Sequence, residues 1–200
     1  MINSSRGMTL VELMIVIAIA AILLTVAAPS FKGLIARSNI ETLQDQFALS
    51  VITARTEAAS RGVKVRLCPS PMPTTATGKC VKKDWATDGW VAFYVDSADK
   101  VQMIAEFKNK PGYPLGVFEA GTTTKVAEIT FNSQGYNAER KRFTFVVCDK
   151  SVDPTYAKGV MVELSGRTVF TQDKSNLHNE KFHTPTAGGT SPSLPLKPRC

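Results

Sequence analysis

Glu12 is the first side chain that asks for a chemical explanation. It stands near the start of an apolar run, and between Met8 and Ala28 only Thr9, Glu12 and Thr25 are polar. A carboxylate in hydrocarbon costs a few kcal/mol and usually marks a partner. A cut between Gly7 and Met8 would supply one, because the new cationic amine lies four residues before Glu12. The amine of a neighbouring copy then neutralises the acid, and Glu12 becomes a register mark for side-by-side packing of identical helices. Two blander readings do less. A secretory signal cut after Ala28 would leave Pro29 next, a poor site. A plain signal anchor gives Glu12 no role.

The cysteines come next. Cys68, Cys80, Cys148 and Cys200 make an even count, which in an exported domain argues for two disulfides. Proximity pairs Cys68 with Cys80, around a loop holding Pro69, Pro71 and Pro73, and the need to anchor a structureless tail pairs Cys148 with Cys200. Zinc would need closer ligand pairs. No metal site is expected, since eleven residues separate the nearest cysteines and His178 and His183 stand in a polar loop.

Catalysis has little to work with. His178 and His183 are the neutral-pH bases, and neither lies in a nucleophile motif. Asp96 and Asp99 flank a Ser-Ala pair, too few ligands for a calcium loop and enough for a turn. The sequence predicts no enzyme, no cofactor and no small-molecule substrate.

The cations permit a different chemistry. The formal charge is +7, and from Arg61 to Lys83 there are six basic residues and no acid. Arg66, Lys79, Lys82, Lys83, Arg140, Lys141, Arg142, Arg167, Lys197 and Arg199 are candidate phosphate contacts. If several share one face they could hold DNA, with affinity falling steeply as salt rises. Otherwise the charge serves solubility or acidic neighbours.

The elements that must position these groups follow from periodicity. As a helix, the run from Met8 to Ala28 rises about 31 Å, close to the hydrocarbon thickness of a bilayer. Beyond Pro29 the apolar residues Ala36, Ile40, Leu43, Phe47, Val51, Ala54 and Ala58 form one stripe of a 3.6-residue period. Arg61-Gly62 reads as its stop. One helix over 8–61, kinked at Pro29, therefore has a membrane-spanning first half and an amphipathic second half. After Gly62 the period becomes two, predicting strands at 63–68, 90–95, 101–107, 126–132, 142–148, 159–165 and 167–172, with a tight turn at 165–167. The fold class is α+β, a long N-terminal helix packed on an antiparallel sheet domain. The divisions are a removable leader at 1–7, a membrane or filament-core helix at 8–31, an amphipathic helix at 32–61, a β-rich domain at 62–172 and an irregular tail at 173–200 pinned by Cys200.

Residues 7–12, "GMTLVE", with the apolar run and Pro29, resemble the class III signal of type IV pilins and type II secretion pseudopilins. The resemblance implies a pilin fold, cleavage after Gly7 by a prepilin peptidase, N-methylation of Met8, assembly directed by Glu12 and a helix kink at Pro29. "WATDGWVAFYVD" (85–96), "ITFNSQGY" (129–136) and "GVMVELSGRT" (159–168) are similar to the GspH/FimT/FimU subfamily of minor pilins. That subfamily implies a scarce subunit near the filament tip, partnered by other minor pilins and the major pilin. Its implied location is the inner membrane with a periplasmic domain, then a pilus or a type II secretion pseudopilus. Some members bind DNA through a Gly-Arg-x-Arg motif; here Gly166-Arg167-Thr168 is followed by Val169, a departure at the second arginine.

Overall fold

The computed structural model describes residues 9–71, 73, 80, 84–86, 88–120, 122, 124–148, 157–172, 181–182 and 194–195, with backbone alone at 26–30, 171–172, 181–182 and 194–195. Helix α1 spans Leu10–Arg61, 52 residues. It starts where it does because Thr9 is extended and its Oγ1 accepts the Glu12 N–H at 3.2 Å. The Glu12 carboxylate in turn accepts the Thr9 N–H, which completes a capping box. It stops at Gly62, left-handed at φ 67°, while the Val63 N–H bonds back to the Ala58 carbonyl at 3.2 Å. Residues 26–30 are helical; the Pro29 side chain, and with it the expected kink, lies outside what is described.

Eight strands follow: β1 (Val65–Pro69), β2 (Gly89–Val95), β3 (Val101–Lys108), β4 (Leu115–Glu119), β5 (Ile129–Phe131), β6 (Phe143–Cys148), β7 (Ala157–Val162) and β8 (Thr168–Gln172). They form two antiparallel four-stranded sheets, ordered β3-β2-β1-β5 and β4-β6-β7-β8. The helix packs on the inner faces of both, the α+β arrangement that the periodicities predict. Three details differ. Strand β4 was not expected. The strand predicted over 126–132 shrinks to β5, because Lys125 and Val126 still bond to Phe118 and Val117 of β4 before the chain crosses to the other sheet. In the tail predicted to be irregular, β9 (Lys181–Phe182) pairs with β10 (Leu194–Pro195).

All seven stripe residues of α1 are buried, none more than 3% exposed. Phe47 stacks on Phe145 with centroids 4.1 Å apart and meets Trp85 and Trp90 edge-on. Val65 and Leu67 of β1, Phe131 of β5 and Val160 and Val162 of β7 close the same core. Burying each such side chain is worth about 1.5–3 kcal/mol, so the second half of α1 is a structural member of the domain. The Trp85 indole donates to the Val126 carbonyl at 2.6 Å, which ties down the turn at Trp85 and Ala86.

Candidate functional site

Three features of the chain hold its functional candidates. The first is the free half of α1. From Leu10 to Leu24 the large apolar side chains are exposed, Leu10 at 75% and Leu24 at 68%, and the exposed series resumes at Phe31, Leu34 and Ile35. Glu12 is turned back on its own first turn, where Thr9 and the helix dipole satisfy it in part. Gly7 and Met8 lie outside the described residues. Among the described residues no helix is long and apolar enough to cross a membrane.

The second feature is the joint between α1 and the sheets. Gln44, buried at 4%, donates to the Gly159 carbonyl of β7 at 2.7 Å. Lys158 pairs with Glu41 at 2.6 Å. On the other flank the Asn39 amide donates to the Tyr113 hydroxyl at 2.9 Å and its oxygen accepts from Lys110 at 2.7 Å. At the far end Arg61 pairs with Glu57 and lies over the Tyr94 ring at 5.4 Å. The second half of α1 is therefore tied by polar contacts to strands of both sheets, at β7 and at Tyr94 of β2.

The third feature is a pair of glycine turns. Gly166, at φ 75°, closes the β7–β8 hairpin, with its N–H on the Glu163 carbonyl. A Cβ there would fall 2.7 Å from the Gly135 carbonyl oxygen and 3.1 Å from both Arg55 Cδ and a Phe131 ring carbon. Gly135, at φ 78°, presses on Arg55 from the other turn. The stretches 129–136 and 159–168 thus converge on one residue of α1. Asn137, 3% exposed, organises the next turn: its N–H reaches the Leu164 carbonyl, its amide donates to Lys141 and its oxygen accepts from Glu139.

This geometry sorts the basic candidates. Lys141 pairs with Glu119 at 3.0 Å and Arg142 with Glu163 at 3.0 Å. Arg140 and Arg167 are exposed on the two adjoining turns. Arg66 is on β1, paired in register with Phe93 and Thr130, and is held by an interaction of its own. Lys79, Lys82, Lys83, Lys197 and Arg199 lie outside the described residues, as do His178 and His183.

Cys68 and Cys80 are disulfide-bonded, with Cα atoms 5.5 Å apart. Glu128 approaches both sulfurs, within 4.8 Å. Sulfurs bonded to each other offer no thiolate, so the trio lacks the donors zinc prefers. Cys148 is also disulfide-bonded, and Cys200, its expected partner, lies outside the described residues. The Asp96 carboxylate is spent on its own turn. Hydrogen bonds from the Lys100 N–H, the Gln102 amide and the Ala98 N–H hold its pKa below the usual value. Burial, and after it the Glu128 charge, pushes Glu139 the other way.

A capped apolar helix, rooted by its second half in a two-sheet domain, defines a pilin-like filament subunit. The chain belongs to the type II transport protein GspH family, which it matches over residues 44–166, and residues 2–28 match the prokaryotic N-terminal methylation motif. It is 31% identical to a fimbrial protein of Moraxella nonliquefaciens over 132 residues, 63% of this chain and 72% of the other. Its fold is similar to that of the type IV minor pilin FimU of Pseudomonas aeruginosa, with TM-score 0.51 and 15% identity over 67% of this chain and 89% of that one. The minor pseudopilin EpsH from the type 2 secretion system of Vibrio cholerae gives TM-score 0.48 and 12% identity over 68% and 99%. The chain is a type IV minor pilin or pseudopilin.

Proposed function

We propose that this chain is a minor pilin that joins or primes the tip complex of a type IV pilus. It is cut after Gly7 by prepilin peptidase and held in the inner membrane by α1 with its domain in the periplasm. It is then drawn into the filament against other minor pilins and the major pilin. It performs no catalysis. The observation that carries this reading is the placement of Glu12 as the acid of the helix cap, on a rod continuous to Arg61 and fastened to the domain at Glu41 and Gln44. The fimbrial relative favours a pilus over a secretion pseudopilus. In the test, Glu12→Val should leave the protein processed and inserted but depleted from sheared filaments; undiminished incorporation sinks the register role. Deletion separates the two machines: loss of piliation supports the pilus, and loss of protein secretion alone supports the pseudopilus.

DNA binding during uptake is a second reading, favoured by Arg140 and Arg167 on adjoining turns beside the exposed Tyr136. A gel shift at low and physiological salt decides it, and no binding at either removes it.

A further inference from the structure

We propose that the outer face of the sheet β4-β6-β7-β8 is covered by this chain's own residues 173–199, drawn back across it by a bond between Cys148 and Cys200. In β6 the strand alternation sends Phe143, Phe145 and Val147 into the core around α1, together with Val160 and Val162 of β7. The residues between them face the other way: Thr144 opposite Met161, and Cys148 opposite Ala157, with Val146 in the middle. That side is as dry as the core. Val146 is 6% exposed, Thr144 4% and Met161 2%. A sheet with one bare face would leave such positions to water. Thr144 Oγ1 is buried with no hydrogen-bond partner among the described residues, so water is kept even from this hydroxyl.

Val146, Cys148 and Ala157 form an apolar cluster of their own, and Phe118, packed against it, belongs to the same sheet. Among the described apolar residues none outside the sheet joins that cluster. Phe118 lies close over Gly116 on the edge strand β4. Met161 is two strands away, about 10 Å, so Phe118 does not account for its burial. The connectivity names the occupant. Cys148 is disulfide-bonded, and because Cys68 and Cys80 are joined to each other, Cys200 is the cysteine left for it. Strand β8 ends at Gln172, beyond Lys158, so the chain leaves the sheet beside the Ala157–Cys148 pair to which Cys200 returns it. From β8 to β6 is again two strand spacings, and residues 173–199 are far more chain than that gap needs. The surplus carries Leu177, Phe182, Leu194 and Leu196, and within it β9 pairs with β10. Apolar residues tethered at the end of an apolar face are driven onto it. The exposed Arg142–Glu163 pair marks the far rim of that face.

The test uses the full chain in detergent. Hydrogen peroxide oxidises accessible methionines, with Met103, 57% exposed, as the reference and the fluorescence of the buried Trp85 and Trp90 as the check on the inner core. Met161 should resist oxidation in the intact chain. With residues 173–200 deleted and Cys148→Ser, it should oxidise at a rate within a few-fold of Met103 while the fluorescence stays unchanged. Oxidation of Met161 in the intact chain as fast as Met103 overturns the proposal, and so does protection that persists after the deletion. Where the deletion disturbs the fluorescence, the intact chain decides. Photo-crosslinking p-benzoylphenylalanine in place of Val169, the β8 residue opposite Met161, should join to residues 173–199 of the same chain. Joining to the β6–β7 loop at 149–156, joining to a second copy, or no joining at all overturns it.

Discussion

The Gln44 side-chain amide donates to the main-chain carbonyl of Gly159 at 2.7 Å, a buried hydrogen bond from the middle of α1 to the centre of one sheet. It lies among apolar contacts, so loss of the donor leaves the geometry of the joint to packing alone. Gln44→Leu should destabilise the chain by about 1–3 kcal/mol, the cost of leaving a buried acceptor unpaired. Chemical denaturation of the full chain in detergent, followed by tryptophan fluorescence, measures it. A neutral result would mean that the carbonyl finds another donor.

Gly62 and Gly166 share a left-handed backbone but differ in surroundings. Nothing lies within 4 Å of a Cβ at Gly62, so Gly62→Ala should cost only the conformational penalty, about 1–2 kcal/mol. At Gly166 the added carbon meets a backbone oxygen as well as side chains. Gly166→Ala should therefore cost more than Gly62→Ala in the same thermal unfolding assay. The reverse order would contradict the convergence of the two turns on Arg55.

Thr9 holds the first turn of α1 from both sides of the capping box. Thr9→Ala should lower helix-end stability by about 1 kcal/mol, whereas Thr9→Ser should keep most of it. Hydrogen exchange at residues 12–14 in detergent or nanodiscs reports the difference. Identical exchange in the two variants would show that the cap does not order this end.

The Cys68–Cys80 bond closes a loop of sequence separation 12. Its removal, as Cys68→Ser with Cys80→Ser, should cost about 3 kcal/mol if the chain-entropy account holds. Peptide mapping without reduction should find these two cysteines joined and Cys148 linked to Cys200. A Cys148 peptide joined to any other cysteine would refute the second pairing.

Two acids should shape the acid limb of stability in opposite senses. Asp96 has a depressed pKa, so its contribution is present above the unfolded value near 3.8 and fades as pH falls through its folded value. Glu139 is raised above 4.5, so the folded state holds its proton more tightly, and stability falls as pH rises through that window. Asp96→Asn should flatten the loss of stability in acid. Glu139→Gln should remove the decline that begins above 4.5. Denaturation midpoints across that range test both, and a slope unchanged in either variant counts against its assignment.

Much of this was readable in the sequence because burial leaves a period. The stripe from Ala36 to Ala58 and its glycine stop reappear residue for residue in α1. Strand β4 was not readable: Leu115–Glu119 is short, follows a proline and contains Gly116. Gln44 escaped for a related reason, since a polar residue beside an apolar stripe gives no sign of being buried until Gly159 is seen opposite. The basic clusters were the least legible. Lys141 and Arg142 are adjacent in the chain, yet they are paired to Glu119 and Glu163, contacts created only by the register of β4, β6 and β7.

Among the described residues the domain buries α1 only from Ala36 onward, so the part that carries Glu12 projects as a cantilever about 36 Å long. A 10° swivel of the domain would sweep the acid sideways by about 6 Å at that length, twice the reach of a hydrogen bond. If Glu12 meets a neighbouring terminus as proposed, the docking attitude of the globular head would select which one, and aim would matter to incorporation as well as charge.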